Sequence, residues 1–588
     1  MATAAVDTDD DYRHMGVYPR CGICAGRISR HERAIALFGD SDSTSYRGHT
    51  RPFPFPQPGY AIHNVDGYFF CRYPNCERCA CSPEFAPIHF DCFEIFRQQC
   101  SVTESNALNR LWVVAAWRNP WRGAKLIHLS ATMVDKDMLS TICGRTGLPR
   151  LHTLPPELLE KIRQYSKYAW LWRYILAFQL ADYISASEPD SLRTVPLREI
   201  VFWERGGEFK RVMGPHQQLP TLRLTIDTAG ISKIERISDT DVYAGECTGR
   251  FAFIVQREAS ISDVTAQLKD GRLRLKLPVS IQTLYTWNTN VIPSRALSNV
   301  YPNDWSSCQN IYTVEMDRVK GITFFYSHQL YGIHIHHSEE SCAMDTFIRF
   351  SNRLGRSLVW IYLPMSQRDR VLALGIREEL QSRRPSVLFR TKLMGDTTIG
   401  PQLDGEAGDR YLAASVPLAM MYGEPIEGRP IRFFGGHCRV PRDGPLPSRR
   451  FLLINPGPCP IEDDRCFFSW APLSAVTSTL VFYDQNTGFC RGILFHYRNG
   501  GSRAVGQCRL HVDPAKSVVQ PGQLCFRTTS CLSRRDRPIY NVEVKFKQAA
   551  QTKPTGKDSD GWESRPMKGL VNFWFTTEAS FLAIRESD

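Results

Sequence analysis

Cysteine and histidine side chains are concentrated near the N-terminus of this 588-residue chain. Eight of the 19 cysteines and four histidines lie between positions 21 and 100. Thiolates and imidazoles at short spacing are the ligands that Zn²⁺ prefers in proteins. No other part of the sequence carries a chemical signature of comparable strength. The N-terminal segment is therefore predicted to be a small module organised by zinc.

The best-specified ligand set combines two short motifs. Cys21 and Cys24 are separated by two residues, and His89 and Cys92 have the same spacing. Each pair can reach one ion, so the four residues predict a site of three thiolates and one imidazole. A closed set of four ligands leaves no position for a reacting water, which predicts a structural zinc ion. The His-x-Glu arrangement of zinc deaminases is absent from this region.

A second ligand set is predicted from the remaining cysteines of the module. Cys76 and Cys79 have the spacing of a ligand pair, and Cys71 and Cys81 would complete an all-thiolate site. His63 could replace either Cys71 or Cys81, and one or two zinc ions remain open alternatives. Because a small, loop-rich module buries little apolar surface, the metal would supply much of its folding energy.

A helical motif follows the module. Residues 154–159, Leu-Pro-Pro-Glu-Leu-Leu, resemble the opening of an F-box, although the central Leu-Asp-Leu block of that family is missing. The resemblance covers about forty residues and implies docking onto the linker subunit of a cullin-type ubiquitin ligase. The docking face that it implies consists of Leu154, Pro155, Leu158, Leu159 and Ile162. The alternative is an ordinary amphipathic helix pair that joins two domains.

The elements that must position these residues change along the chain. Helical spacing of apolar residues dominates the second hundred positions, and short strands with turn residues follow. We expect a multidomain α+β protein with a large, mostly antiparallel β-rich C-terminal body. The predicted segments are a disordered tail at 1–20, the Cys/His module at 21–105, the helical segment at 106–190, the β-rich region at 191–547, and a linker with a terminal strand at 548–588.

Composition narrows the classes of partner. The net charge of +12 is spread along the chain, with no basic stripe interleaved with aromatic residues, so nucleic acid is not an expected partner. No apolar run is long enough to span a bilayer, and the first residues do not read as a signal peptide. A chain of this kind is expected in the cytoplasm or the nucleus, where clustered cysteines more often bind metal than form disulfides.

The chain is also similar, along its length, to a family of filamentous-fungal proteins. That likeness implies a eukaryotic, intracellular source and no particular substrate. The stretches that carry it are Cys21–Cys24, Pro87–Cys92, residues 154–159, Gly230–Arg236, Gly321–Tyr326, Thr487–Leu494 and Arg503–Arg509.

Three functional classes remain open, and the first is a non-enzymatic interaction protein. A faint repeat between residues 321–336 and 480–496 favours a second class, a carbohydrate-binding, β-prism-like domain. The third class is a metal-dependent enzyme of the cupin type, whose ligands would be His334, His336, Glu340 and His496. The phosphate-loop, dinucleotide-binding, kinase and His-Glu-x-x-His motifs are absent, so we expect no enzyme of those classes.

Overall fold

The structure, a computed structural model, describes residues 13–586 apart from short internal segments. The chain forms two compact units, Met1–Ile292 with Gln309–Ile311, and Pro293–Cys308 with Tyr312–Asp588. The boundary between the units lies inside the predicted β-rich segment 191–547, for which the sequence leaves the number of domains open. The segments outside the described residues are 74–75, 82, 131–135, 146, 149, 167–168, 212–219, 239–248, 282, 291, 294–297, 303–307, 380–384, 402–406, 415, 426–427, 439–449, 453, 455–456, 462–465, 533–537 and 549–555.

The first unit combines helices with small sheets. Its α-helices are α1 Phe90–Gln99, α2 Glu104–Ala116, α3 Lys136–Arg145, α4 Pro156–Tyr165 and α5 Trp170–Ala186. Its strands are β1 Arg13–Gly16, β2 Arg33–Gly39, β3 Tyr46–His49, β4 Phe53–Pro54, β5 Ala61–Val65, β6 Tyr68–Cys71, β7 Phe85–His89, β8 Arg193–Pro196, β9 Ile200–Glu204, β10 Lys210–Arg211, β11 Thr221–Asp227, β12 Gly230–Ile237, β13 Ala252–Arg257, β14 Thr265–Lys269, β15 Arg272–Lys276 and β16 Thr286–Trp287.

The Cys/His module is built on two small sheets. Strand β2 carries four consecutive buried residues, 34–37, and pairs with β3, β4 and β7. Strand β6 pairs with β5 and, in parallel, with β1. Residues 13–16 therefore form a strand, although the sequence predicts a disordered tail over 1–20. Parallel pairing with a distant segment is a long-range contact that local polarity does not reveal.

Helix α5 joins the Cys/His module to the helical segment. It is apolar on most of its circumference, which is the pattern of a helix packed on several sides. Its N-terminal part, with Trp172 and Ile175, packs in a cluster with α3, and its C-terminal part, with Ala177, Ala181 and Ile184, packs in the core of the Cys/His module. The two segments predicted as separate domains therefore share one helix and its core contacts.

Two further sheets complete the first unit around a separate apolar core. Their strand orders are β10-β9-β12-β11-β13-β16 and β15-β14-β8. The hairpin between β11 and β12 approaches the end of α2. Gly230 there has a φ of 103°, and a Cβ atom at this position would lie 2.4 Å from the carbonyl oxygen of Trp117. Only glycine fits this close approach of two backbones.

The second unit is almost entirely β-structure. Two short helices, α6 Met344–Phe347 and α7 Asn352–Gly355, interrupt it. Its strands are β17 Ser298–Tyr301, β18 Asn310–Glu315, β19 Gly321–Tyr326, β20 Leu330–His336, β21 Val359–Pro364, β22 Val371–Glu379, β23 Ser386–Thr391, β24 Gly395–Ile399, β25 Ala407–Ala413, β26 Leu418–Gly423, β27 Phe434–Cys438, β28 Phe467–Pro472, β29 Val476–Tyr483, β30 Cys490–Tyr497, β31 Ser502–Gly506, β32 Ala515–Val519, β33 Pro521–Leu532, β34 Pro538–Gln548, β35 Gly556–Lys557, β36 Glu563–Pro566, β37 Leu570–Phe575 and β38 Ser580–Arg585.

These strands form small antiparallel sheets around one apolar core. Their orders are β18-β26-β27-β17, β20-β19-β21, β24-β23-β22-β25, β28-β37-β38, β31-β30-β29-β32 and β34-β33-β36-β35. Every one of these sheets contributes buried residues to the same cluster. Among the described residues, strands account for 45% and helices for 16%, which confirms the predicted β-rich body. Among the described helices, none is both long and apolar enough to cross a membrane.

Candidate metal centre

The structure brings Cys21, Cys24, His89 and Cys92 together as one buried group. All four ligand atoms lie within 4.8 Å of one another. The Nδ1 atom of His89 lies 3.4 Å from the Sγ of Cys24 and 3.7 Å from the Sγ of Cys92. In a tetrahedral zinc site with ordinary bond lengths, sulfur and nitrogen ligands lie about 3.6 Å apart. The group therefore has the dimensions of a tetrahedral metal site, which we call the knuckle site.

A tight turn positions the first two ligands. Ala25 adopts a left-handed φ of 55°, and the N–H of Cys21 donates to the carbonyl of Gly26. Three backbone N–H groups point at sulfur: those of Ile23 and His89 at the Sγ of Cys21, and that of Gly26 at the Sγ of Cys24, each at 3.4 Å. Such donors stabilise thiolate charge, which a metal ligand needs.

The other two ligands come from the junction of a strand and a helix. His89 ends β7, and Cys92 lies in the first turn of α1. The N–H of Gly22 donates to the carbonyl of Pro87 at 2.8 Å, which places the turn beside β7. The pairing of β7 with β2 completes this arrangement. The sheet thus closes the long interval between the two ligand pairs.

A second layer of contacts orients His89. Its Nε2 lies 3.2 Å from the carbonyl oxygen of Arg27 and 3.7 Å from a carboxylate oxygen of Glu32. Glu32 also accepts hydrogen bonds from the N–H of Ser29 and, at 2.7 Å, from Arg173 of α5. Because Nε2 faces these acceptors, Nδ1 is left to face the sulfur atoms. Partners of this kind are typical of metal-bound histidines.

The charges in the knuckle site are strongly coupled. Burial alone would lower the pKa of His89, but the Cys21 thiolate and hydrogen bonds to Cys21, Cys24 and Glu32 raise that pKa to about 12. Burial alone would raise the pKa of Cys21, but hydrogen bonds from Cys24 and Cys92 and the charge of His89 lower it. This field stabilises a positive charge among the sulfur atoms. A divalent cation would supply that charge and displace the protons.

Arg118 connects the knuckle site to the neighbouring sheet. Its buried guanidinium donates to the carbonyl oxygens of Gly22 and Ile23 in the metal-binding turn, and to that of Thr228 in the β11–β12 hairpin. Three thiolates, one neutral imidazole and Zn²⁺ would carry a net charge of −1. The guanidinium of Arg118 contacts the turn that carries Cys21 and Cys24, so its positive charge would offset this negative charge.

A second group consists of His14, Cys71, Cys76 and Cys79, again with all ligand atoms within 4.8 Å. The Nδ1 atom of His14 lies 3.2 Å from the Sγ of Cys79. We call this group the strand site, because His14 belongs to β1 and Cys71 ends β6, the strand paired with it. It is less buried than the knuckle site.

His14 is the candidate ligand that sequence reasoning misses. The sequence predicts Cys81 with Cys71, Cys76 and Cys79, and leaves His63 open in place of Cys71 or Cys81. The structure instead brings His14 to this group, stacked on Phe69 with ring centroids 4.4 Å apart. The side chains of Cys81 and His63 lie outside the described part of the structure, so their predicted roles stay untested. Only its closeness to Cys21 in the sequence could have signalled His14, because β1 pairs with a strand more than fifty residues away.

The predicted docking residues divide between surface and interior. On α4, Leu158 is 48% exposed and Ile162 is 37% exposed, and Pro155 just before the helix is also exposed. Leu159 packs against the small cluster that contains Trp172, and Leu154 is half-buried. Trp170, at the start of α5, is 57% exposed. The outward apolar residues are therefore Leu158, Ile162 and Trp170.

The histidine pair of the cupin alternative is engaged by protein groups. The ring nitrogens of His334 lie 2.9 Å from the hydroxyl of Thr346 and 3.0 Å from that of Ser341. Those of His336 lie 2.8 Å from the hydroxyl of Thr323 and 2.9 Å from the carbonyl of Ser341. A metal ion would have to break these bonds. Within the described residues, His334, His336, Glu340 and His496 form no metal-binding group.

Comparison with models of known protein families and with curated protein sequences found no match to this chain.

The contact between Glu32 and His89 predicts the effect of a conservative substitution. Glu32→Gln keeps the shape of the side chain but removes the negative charge that orients His89 and pairs with Arg173. We expect the affinity for Zn²⁺ to fall about 10- to 100-fold, measured by competition with a chromophoric chelator. Glu94→Gln, on the surface of α1, is the matched control and should leave the affinity unchanged. Equal affinities for Glu32→Gln and the unmodified chain would contradict this role.

The buried histidine pair predicts a loss of stability in acid. Burial and the charge of His336 lower the pKa of His334 to about 3, and burial lowers the pKa of His336 to about 4. Below pH 6.5 the unfolded chain takes up protons that the folded chain does not. The free energy of unfolding of the second unit should therefore fall with pH, by about 1–2 kcal/mol for each histidine at about pH 5.

Denaturant titrations at about pH 7.5 and about pH 5 measure this effect. His334→Gln should remove about half of the acid destabilisation that the pair contributes, whereas His328→Gln, at an exposed position, should leave it intact. If the unmodified chain, His334→Gln and His328→Gln all lose the same stability in acid, the buried histidine pair is not the cause.

Proposed function

We propose that this protein is a non-enzymatic interaction protein, an F-box-like adaptor whose N-terminal module is held by structural zinc. The observation that carries the proposal is that one helix, α5, contacts both the Cys/His group and the cluster on which α4 rests. Leu158 and Ile162, one turn apart on α4, and Trp170 at the start of α5 are exposed apolar side chains. Helix α5 also carries Arg173, which binds Glu32 beside His89.

Zinc is the metal that suits both groups. Each offers three thiols and one imidazole, a soft ligand set that favours Zn²⁺ over Mg²⁺ or Ca²⁺. In the knuckle site all four ligands are buried, and their spacing fits a tetrahedron, which leaves no open coordination position. A structural role follows from this closed set, since catalytic zinc keeps one position for water or substrate.

The metal centre would act on the adaptor surface through α5. The chain of contacts runs from His89 to Glu32 to Arg173, and the same helix packs against the cluster that holds α4 in place. Leu159 faces that cluster, while Leu158 and Ile162 face outward. Binding of zinc would thus order the helix pair before any partner arrives.

The partner that the F-box resemblance names is the linker subunit of a cullin-type ubiquitin ligase. F-box helices dock through outward apolar residues near a Leu-Pro-x-Glu-Leu-Leu motif, and here Pro155, Leu158 and Ile162 are the exposed members of that motif's face. The proposal places the chain in the cytoplasm or nucleus of a fungal cell. The β-rich second unit would then bind the target protein.

Metal analysis of purified protein tests the zinc assignment. We expect about two Zn²⁺ per chain by native mass spectrometry, one for each group. Cys24→Ser combined with Cys92→Ser should lose one ion, and His14→Ala should lose or weaken the other. Cys531→Ser, which removes an exposed thiol, should retain both. Full metal content in the Cys24 and Cys92 double variant would contradict the knuckle site.

Binding to purified linker subunit tests the adaptor role. Leu158→Asp combined with Ile162→Asp places charges on the exposed face of α4 without entering the core, so the fold should persist. The dissociation constant should rise at least about tenfold, because apolar anchors near the centre of an interface carry much of the affinity. Val279→Asp, at a fully exposed position of the same unit, should bind normally. No binding by the unmodified chain would overturn the proposal.

A further inference from the structure

Two cysteines of the second unit lie in direct contact. The Sγ atoms of Cys459 and Cys466 are 2.9 Å apart. Atoms of this size that are not bonded attract best at about 3.5–4.0 Å, and a disulfide bond measures about 2.05 Å. The two sulfur atoms thus lie closer than ordinary packing brings them. The contact between these two cysteines is a finding of the structure.

The surroundings of the two thiols differ. Cys466 is 5% exposed and belongs to an apolar cluster with Ile461, Trp574 and Ala579. Cys459 is partly exposed, and its Sγ lies 3.2 Å from the carbonyl oxygen of Ile461. One cysteine is therefore partly exposed, and the other is buried in contact with it. This is the arrangement of an attacking cysteine with a resolving partner.

We propose that Cys459 and Cys466 form a reversible disulfide through exchange with a small-molecule disulfide such as oxidised glutathione. The thiolate of Cys459 attacks one glutathione sulfur, and the first glutathione leaves as a thiolate. Cys466 then loses its proton and attacks the Sγ of Cys459, which expels the second glutathione. The two cysteine thiols are oxidised and the glutathione disulfide is reduced. The two thiol protons pass to the released glutathione thiolates.

The bond would close a loop at the entry to the sheet β28-β37-β38. Cys466 directly precedes β28, and Trp574 of β37 lies in the same cluster. Oxidation would link Cys459 covalently to Cys466, the residue that precedes β28. The pair belongs to neither metal-binding group, so this redox step is independent of the proposed zinc sites.

Peptide mapping of the full-length, zinc-loaded protein tests the proposal. The protein is treated with oxidised glutathione, the remaining thiols are blocked, and trypsin is added without reductant. Trypsin cuts after Arg450, Arg465 and Arg491, so the two cysteines fall in different peptides, 451–465 and 466–491. We expect these peptides joined, with a mass lower than their sum by two hydrogens, and separated by reductant.

Cysteine variants identify which two sulfur atoms form the disulfide bond. Cys466→Ser should stop at a glutathione adduct on Cys459, whereas Cys490→Ser should keep the joined peptides although Cys490 lies in the same fragment. Cys531→Ser removes an exposed thiol and should also keep them. Glutathione adducts without joined peptides in the unmodified protein would overturn the proposal. Joined peptides that persist in Cys466→Ser would overturn it as well.

Discussion

The first unit depends on the meeting of four ligands from two distant parts of the chain. Cys21 and Cys24 lie in a turn, and His89 and Cys92 lie at the start of α1, all buried within one small group. As thiolates, three cysteines in a low-dielectric interior would be costly to bury unless a cation pairs with them. The knuckle site is therefore the interaction around which the neighbouring elements are arranged.

Two arginines connect the knuckle site to neighbouring elements of the first unit. Arg118 joins the metal-binding turn to the β11–β12 hairpin, and Arg173 joins Glu32, beside His89, to α5. Helix α5 then holds the cluster on which α4 rests. The second unit is built differently, around an apolar core shared by several sheets. Both units therefore bury apolar cores, and the first unit adds the Cys/His groups and the charged contacts around them.

Local chemistry was predictable from the sequence, and long-range pairing was not. The spacing of Cys21, Cys24, His89 and Cys92 predicts their joint site because two intervening residues suffice to place each pair on one ion. Asn499-Gly500-Gly501 is likewise a local turn signal, and it joins β30 to β31 with a φ of 87° at Gly500. His14 could not be found in this way, since a parallel strand pair brings it to the strand site. The shared role of α5 likewise depends on tertiary packing.

Hydrogen exchange before and after removal of zinc tests the central claim most directly. The account predicts that chelation, with metal loss confirmed by mass spectrometry, abolishes protection in residues 21–28, in α1 and in α5. Protection in the strands of the second unit should stay unchanged, because their core contains no metal ligand among the described residues. Unchanged exchange around Cys21, Cys24, His89 and Cys92 in metal-free protein would contradict the account.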